Sequence, residues 1–298
     1  MRSRAILLRL VPFAAAVILF TGGLSAQPAP QPASRFATVF GFKMHYLEAG
    51  QGPTVILLHG LGGDGSRWAP NIMPLAAHFH VIALDEIGFG ESDKPLADYN
   101  DGMLSEFLVE FMKTIGLPKA SLVGNSMGAA IAAYTAVHYP EHVEKIVLAD
   151  GAGYKPSGAV QVDPHLHAIQ NSTTLAETRE FFRIMFYNKS LVTDAMVRAN
   201  LMLRLRSAYT IRKVQESGAT GRGGLTDAEM STIKAPTLIM WGKYDGLANP
   251  ATADRLAKDI YGAQKVVVDN CGHMPQLEQA AEFNRMVTAF LTTGRVAN

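Results

Sequence analysis

Residues 124–128 read Gly-Asn-Ser-Met-Gly, and this stretch restricts the fold more than any other. A short apolar run, 120–123, leads into it, and an alanine-rich run, 129–136, leads out. The first reads as a strand and the second as a strong helix former. Only a very sharp turn joins the two within five residues. Side chains two positions before and after the serine would strike neighbouring backbone, so glycine stands at both. A serine on such a turn is held clear of the sheet, and the helix behind it points free N–H groups at the same place.

The rest of the chain supplies the sheet that such a turn needs. Residues 54–58 and 80–84 are continuous apolar runs with β-branched residues, as strands buried on both faces are. Residues 145–149, 236–241 and 265–268 repeat the pattern, and residues 36–48 read as two short strands about a turn at Gly41. Helical spacing fills the gaps at 66–77, 103–116, 251–260 and 278–291. Strands alternating with helices imply an α/β fold, a mostly parallel central sheet flanked by helices, with its site at the carboxyl ends of the strands. Between 154 and 233 no strand pattern occurs. Residues 179–187 and 194–215 look helical, so this segment is expected to be a helical cap inserted between core segments 36–153 and 234–298. Residues 218–224 are glycine-rich and read as a mobile return loop.

The amino terminus is a separate object. Arg2, Arg4 and Arg9 form a basic start, residues 10–24 are largely apolar, and Leu24-Ser25-Ala26 presents small residues where a signal peptidase cuts. The expectation is a signal peptide over 1–26, a Pro-rich linker over 27–35, and an exported, periplasmic or secreted protein with no membrane attachment after cleavage. The alternative is an uncleaved anchor, for which the apolar run is short of the ~20 residues that span a bilayer. Lys and Arg number 27 against 26 Asp and Glu. That balance excludes nucleic acid or another polyanion as an expected partner, and leaves a small-molecule substrate. Cys271 is the single cysteine, so no internal disulfide forms, and it reads as a packing residue.

Chemistry-bearing residues gather at the predicted strand ends. Residues 59–63, His-Gly-Leu-Gly-Gly, follow the first buried strand. No Gly-Lys-Ser/Thr follows, so a phosphate loop is excluded, and an oxyanion loop using the N–H groups of Leu61 and Met127 fits. Asp85 reads as a brace for the turn-rich loop behind it. A serine hydroxyl needs a base, and a base needs a carboxylate to hold its tautomer. His273 is the expected base and Asp245 the expected carboxylate, with Asp150, also at a strand end, as the alternative. His59 reads as structural. His165 and His167 lie in the cap without metal-ligand spacing, so neither metal nor cofactor is expected.

Taken in order, His59-Gly60, Asp85-x-x-Gly88-x-Gly90-x-Ser92, Gly124-x-Ser126-x-Gly128, Trp241-Gly-x-x-Asp245 and Gly272-His273 resemble the α/β-hydrolase superfamily. Serine at the turn, where epoxide- and halide-processing relatives carry aspartate, implies acyl transfer. The pentapeptide and residues 186–194 are similar to hydrolases that cleave carbon–carbon bonds in ring-fission products. Those enzymes have an arginine–tryptophan pair where this chain has Asn200-Leu201, with Arg198, Arg204 and Arg206 nearby, and tryptophan where it has Met274. The sequence reading therefore puts hydrolysis of apolar carboxylic esters first and carbon–carbon hydrolysis second, with a non-catalytic binding protein as a third reading. Asn125, Phe182, Phe186 and Met274 are the expected substrate contacts.

Overall fold

The computed structural model describes residues 31–155 and 164–296. The expected signal peptide, 1–26, and residues 27–30 of the expected linker lie outside them. Eight strands form one sheet: β1 (Ala33–Val39), β2 (Phe42–Ala49), β3 (Thr54–Leu58), β4 (His80–Leu84), β5 (Ala120–Asn125), β6 (Val143–Ala149), β7 (Thr237–Gly242) and β8 (Gln264–Val268). Their order is β1-β2-β4-β3-β5-β6-β7-β8. β2 pairs antiparallel with β1 and β4, and all later pairs are parallel. β1 begins at Ala33, inside the expected linker, because Ala33, Ser34 and Arg35 pair with Glu48, Leu47 and Tyr46.

Period-two alternation sorts the core into two layers. Ile56 and Leu58 of β3 face one side with α2 (Asp101–Thr114) and α3 (Met127–His138). Val55 and Leu57 face the other, with α1 (Ala69–Ala76) and the closing helix (Ala280–Thr293). The expected helix at 66–77 starts instead as a 3-10 turn, Gly65–Trp68, capped by the Asp64 side chain.

The described residues between β6 and β7 contain helices and no strand. They are α4 (Pro164–Gln170), α5 (Leu175–Met185), α6 (Asp194–Arg206), α7 (Ala208–Thr220) and α8 (Asp227–Met230). Thr174 and Glu177 form a capping box that starts α5 upstream of the expected 179. The single helix expected over 194–215 is two, broken at Ser207, whose φ of −114° is not helical. Of the expected return loop, residues 218–220 are the end of α7, which is closed by Gly221 at φ 71° and by the Arg222 N–H donating to the Ser217 carbonyl at 3.0 Å; residues 222–224 follow as loop. The neck of the insertion is tied: the Leu225 N–H donates to Gly153 and the Lys155 N–H to Leu225, both at 2.8 Å. α8 packs on α3 and on α9 (Ala251–Asp259) through buried Met230, so it belongs to the core layer. A third apolar cluster joins Phe181, Phe182, Met185, Phe186 and Val197 to Met274, which lies just ahead of α10 (Pro275–Glu278); the closing helix is α11.

Candidate active site

Ser126 follows β5 with φ 57° and ψ −115°. For a non-glycine residue that conformation costs on the order of 1–3 kcal/mol, and the surroundings must over-determine it. They do. A Cβ on Gly124 would lie 2.1 Å from the Gly128 carbonyl oxygen, and one on Gly128 would lie 2.2 Å from that of Leu58. The Ser126 N–H is held by the Ala149 carbonyl at 2.8 Å. The turn is therefore packed from both sides and from β6. Leu61 and Met127 border the serine from the loop after β3 and from the start of α3, and neither amide donates to a protein acceptor among the described residues. They stand where the sequence places oxyanion donors.

Asp245 and His273 come from the loops after β7 and β8. His273 Nδ1 and Asp245 Oδ2 are 2.8 Å apart, and both side chains are buried. Asp245 Oδ1 accepts the N–H groups of Leu247 and Ala248 at 2.8 and 2.9 Å, which aims its second oxygen at the ring. The His273 N–H donates to the Met185 carbonyl at 2.7 Å, so the end of α5 helps to hold the base. His273 Nε2 is buried without a partner and lines the same cavity as Ser126. A serine, an imidazole and a buried carboxylate in this order can transfer an acyl group. Asp150, the alternative carboxylate, does not reach the imidazole by a hydrogen bond. Its Oδ1 accepts the Gly242 N–H at 2.8 Å, and burial beside Asp245 raises its carboxyl well above the usual range.

The cavity is lined by Phe181, Phe182, Met185, Leu247 and Met274, with Arg67 and Arg204 as its charged groups. Of the expected substrate contacts, Phe182 and Met274 are on its wall. Phe186 is not: it caps α5 with its ring turned onto Phe182, inside the cap cluster. Asn125 is also on the wall, while its Nδ2 is committed to the carbonyls of Ala149 (3.2 Å) and His273 (3.1 Å).

Arg67 is a cavity residue that sequence reasoning missed, and Arg204, noted there only as lying near Asn200-Leu201, is a second. Arg204 is 4% exposed, and its Nε has no partner. Its guanidinium lies over Phe181 at 4.8 Å and against Gly62, where a Cβ would meet Nη1 at 2.9 Å. Arg67 lies over Phe182 at 5.2 Å and donates to Asn200 Oδ1. Burial lowers both guanidinium groups to about 10, and for Arg204 the Arg67 charge adds to it, so both remain charged at neutral pH. Neither forms an ion pair with a carboxylate among the described residues. Arg204 is buried and Arg67 half-buried, so both lose hydration, and an anion in the cavity would offset that cost. The available signal was spacing: Arg204 is one helical turn beyond Asn200 and shares its face.

The other candidates are structural. Asp85 accepts the N–H groups of Gly65 and Glu91 and the ring of His45, at 2.7–2.8 Å. His59 bonds the Gly60 carbonyl through Nδ1 and receives the Glu86 N–H at Nε2. Cys271 is fully buried, and burial pushes its thiol up. His165 pairs with Glu180 at 2.9 Å on the surface.

A family model described as "alpha/beta hydrolase fold" matches residues 53–280. A 2-hydroxy-6-oxononadienedioate/2-hydroxy-6-oxononatrienedioate hydrolase of Paraburkholderia xenovorans is 31% identical over 261 residues, which is 84% of this chain and 90% of the relative. A 2-hydroxy-6-oxo-6-phenylhexa-2,4-dienoate hydrolase of Comamonas testosteroni is 32% identical over 266 residues, 84% and 91% of the two chains. The solved meta-cleavage product hydrolase of Pseudomonas fluorescens superposes with a TM-score of 0.79 at 28% identity, covering 88% of this chain and 98% of that one. These relatives overturn the order of the sequence reading, which put ester hydrolysis first. That order rested on the missing arginine–tryptophan pair at Asn200-Leu201, on Met274 in place of tryptophan, and on the expected export. In space, Arg204 and Arg67 bring two guanidinium groups to the cavity from other positions.

Proposed function

The chain belongs to the α/β-hydrolase fold family, and from that membership we propose that it hydrolyses a carbon–carbon bond in a 2-hydroxy-6-oxo-2,4-dienoate, the substrate type named for its relatives. The observation that carries this reading is the Arg204–Arg67 pair in the wall beside Ser126. A neutral apolar ester gives these two cations nothing to bind, whereas a dienoate presents a carboxylate.

The chemistry suits that placement. Breaking a carbon–carbon bond would expel an unstabilised carbanion unless its electrons have a sink. Moving the 2-hydroxyl proton to C5 gives the 2-oxo-3-ene tautomer. Ser126 then attacks the C6 carbonyl as His273, oriented by Asp245, takes its proton, and the amides of Leu61 and Met127 receive the oxyanion. When C5–C6 breaks, its electrons run through C4 and C3 to the C2 oxygen, and the leaving dienolate takes up the proton that His273 carries, which frees the imidazole for the second half of the reaction. The guanidinium pair beside C1 and C2 binds this growing charge more tightly than the ground state, which is how binding accelerates a reaction. Water, deprotonated by His273, then releases the C6 acyl group from Ser126 as a carboxylic acid.

The test is to incubate purified protein with 2-hydroxy-6-oxo-6-phenylhexa-2,4-dienoate, beside a p-nitrophenyl ester series. Release of benzoate and 2-hydroxypenta-2,4-dienoate in equal amounts is expected. Turnover of esters with no cleavage of the dienoate would overturn the proposal. We also propose that residues 1–26 direct export, on the basic start, apolar run and small residues described above.

A further inference from the structure

One buried acid at the site has no part in that mechanism. Asp150 follows β6 with φ 50° and is 1% exposed. Its N–H donates to the Met240 carbonyl at 3.0 Å, and its Oδ1 accepts the Gly242 N–H at 2.8 Å. These bonds pin its carboxyl between β6 and β7. One ligand-type atom from each of Asp150, Asp245 and His273 lies within 4.8 Å of the other two. Asp150 Oδ2 is buried without a hydrogen-bond partner, and an Asp150 carboxyl oxygen lies within 4.8 Å of one of Asp245.

Two buried carboxyls this close cannot both be ionised, so one proton lies between them. The donors decide which group holds it. Asp245 receives three N–H bonds, from Leu247, Ala248 and His273, whereas Asp150 receives one, from Gly242. The charge therefore settles on Asp245 and the proton on Asp150. We propose that Asp150 is a positioning residue, a carboxylic acid that donates its proton to Asp245 and so holds and moderates the carboxylate that orients His273. The direction of its titration agrees: burial first, and Asp245 second, push it well above the ordinary carboxyl range. The other titratable groups facing it are Cys271, whose thiol is pushed up by burial, and Glu278, which is tied to the N–H groups of Gly272 and Asn188.

This inference rests on Ser126, His273 and Asp245 acting together, but not on which substrate they cleave. Its test therefore uses a fluorophosphonate probe of Ser126 rather than the dienoate. Asp150→Asn keeps an acceptor for Gly242 and an N–H donor for Asp245. It should label within about threefold of the unmodified protein, with the same pH profile. Asp150→Ala removes the donor to a charged group and should label about tenfold more slowly or worse. With its charge no longer shared, Asp245 would favour the protonated base, so the acid limb of the Asp150→Ala profile should move to higher pH. The carbonyl stretch of a protonated carboxylic acid should appear in the infrared difference between the unmodified protein and Asp150→Asn. That measurement stands if the alanine variant fails to fold.

Absence of that band would overturn the proposal, as would an alanine variant with unchanged rate and acid limb, or an asparagine variant as slow as alanine. Loss of labelling with a chelator and its return with zinc would also overturn it, by placing a cation among the same three residues. No labelling of the unmodified protein would instead remove the nucleophile assigned under the proposed function, and the infrared result would be unaffected.

Discussion

Asn125 Nδ2 donates to the main-chain carbonyl of His273 at 3.1 Å, across 148 residues of sequence. The residue beside the nucleophile thus fastens the loop that carries the base, and its second bond fastens β6 at Ala149. Asn125→Ala would leave two buried carbonyls without this donor. A stability loss of about 1–3 kcal/mol is expected, with a fall in kcat larger than any change in KM, because the base loop loses its tether. Urea denaturation and steady-state turnover measure the two effects. If neither moves, the fastening is redundant with the Met185 carbonyl that also holds His273.

Ser126→Ala should fold, since alanine is no bulkier at φ 57°. It should lose cleavage by on the order of 10⁴ or more, together with all fluorophosphonate labelling. Turnover within tenfold of the unmodified protein would remove Ser126 from its role.

Arg204→Gln removes a buried charge but keeps much of the side-chain volume. A charge-assisted bond to a carboxylate is worth about 1.5–3 kcal/mol, so kcat/KM for the dienoate should fall by roughly 10- to 150-fold. A neutral ester of similar size should react at a nearly unchanged rate. Equal losses on both substrates would show that Arg204 shapes the cavity without reading charge.

Glu86 is buried beside Asp85 and 3.3 Å from His59 Nε2, and neither of its oxygens has a hydrogen bond. Burial, and then the Asp85 charge, raise its carboxyl well above the ordinary range. The unfolded chain releases this proton near the usual glutamate value of about 4.3, while the folded chain keeps it to higher pH. Across that window the folded state binds more protons, so this group makes stability fall as pH rises. Glu86→Gln should therefore raise the melting temperature relative to the unmodified protein at pH 8 and leave it unchanged at pH 4. A gain of the same size at both pH values would indicate a packing effect rather than titration.

If residues 1–26 direct export, the exported protein should begin at Gln27 by N-terminal sequencing. Recovery of Met1 or Arg2 at the mature terminus would favour an anchor.

What could be read without coordinates was whatever depends on local periodicity and backbone geometry. Buried β-branched runs can form only central strands, and a serine between Gly124 and Gly128 can sit only on a turn too tight for other residues, so the sheet, the elbow and the loops carrying Asp245 and His273 were legible. Ser207, which breaks one expected helix into α6 and α7, was not, because its effect comes from the packing of the cap. Position along the chain also misled about substrate. Asn200 stands where an arginine was sought, yet Arg204, one turn on, and Arg67, 133 residues away from Asn200, supply the charge. Phe186, close to Phe182 in sequence, turns into the cap instead of the cavity. Linear order records strand ends and turns because they arise between neighbours. Which charge goes without a partner, and which carboxyl keeps a proton beside another, depends on burial by distant segments, and only the folded chain brings those segments together.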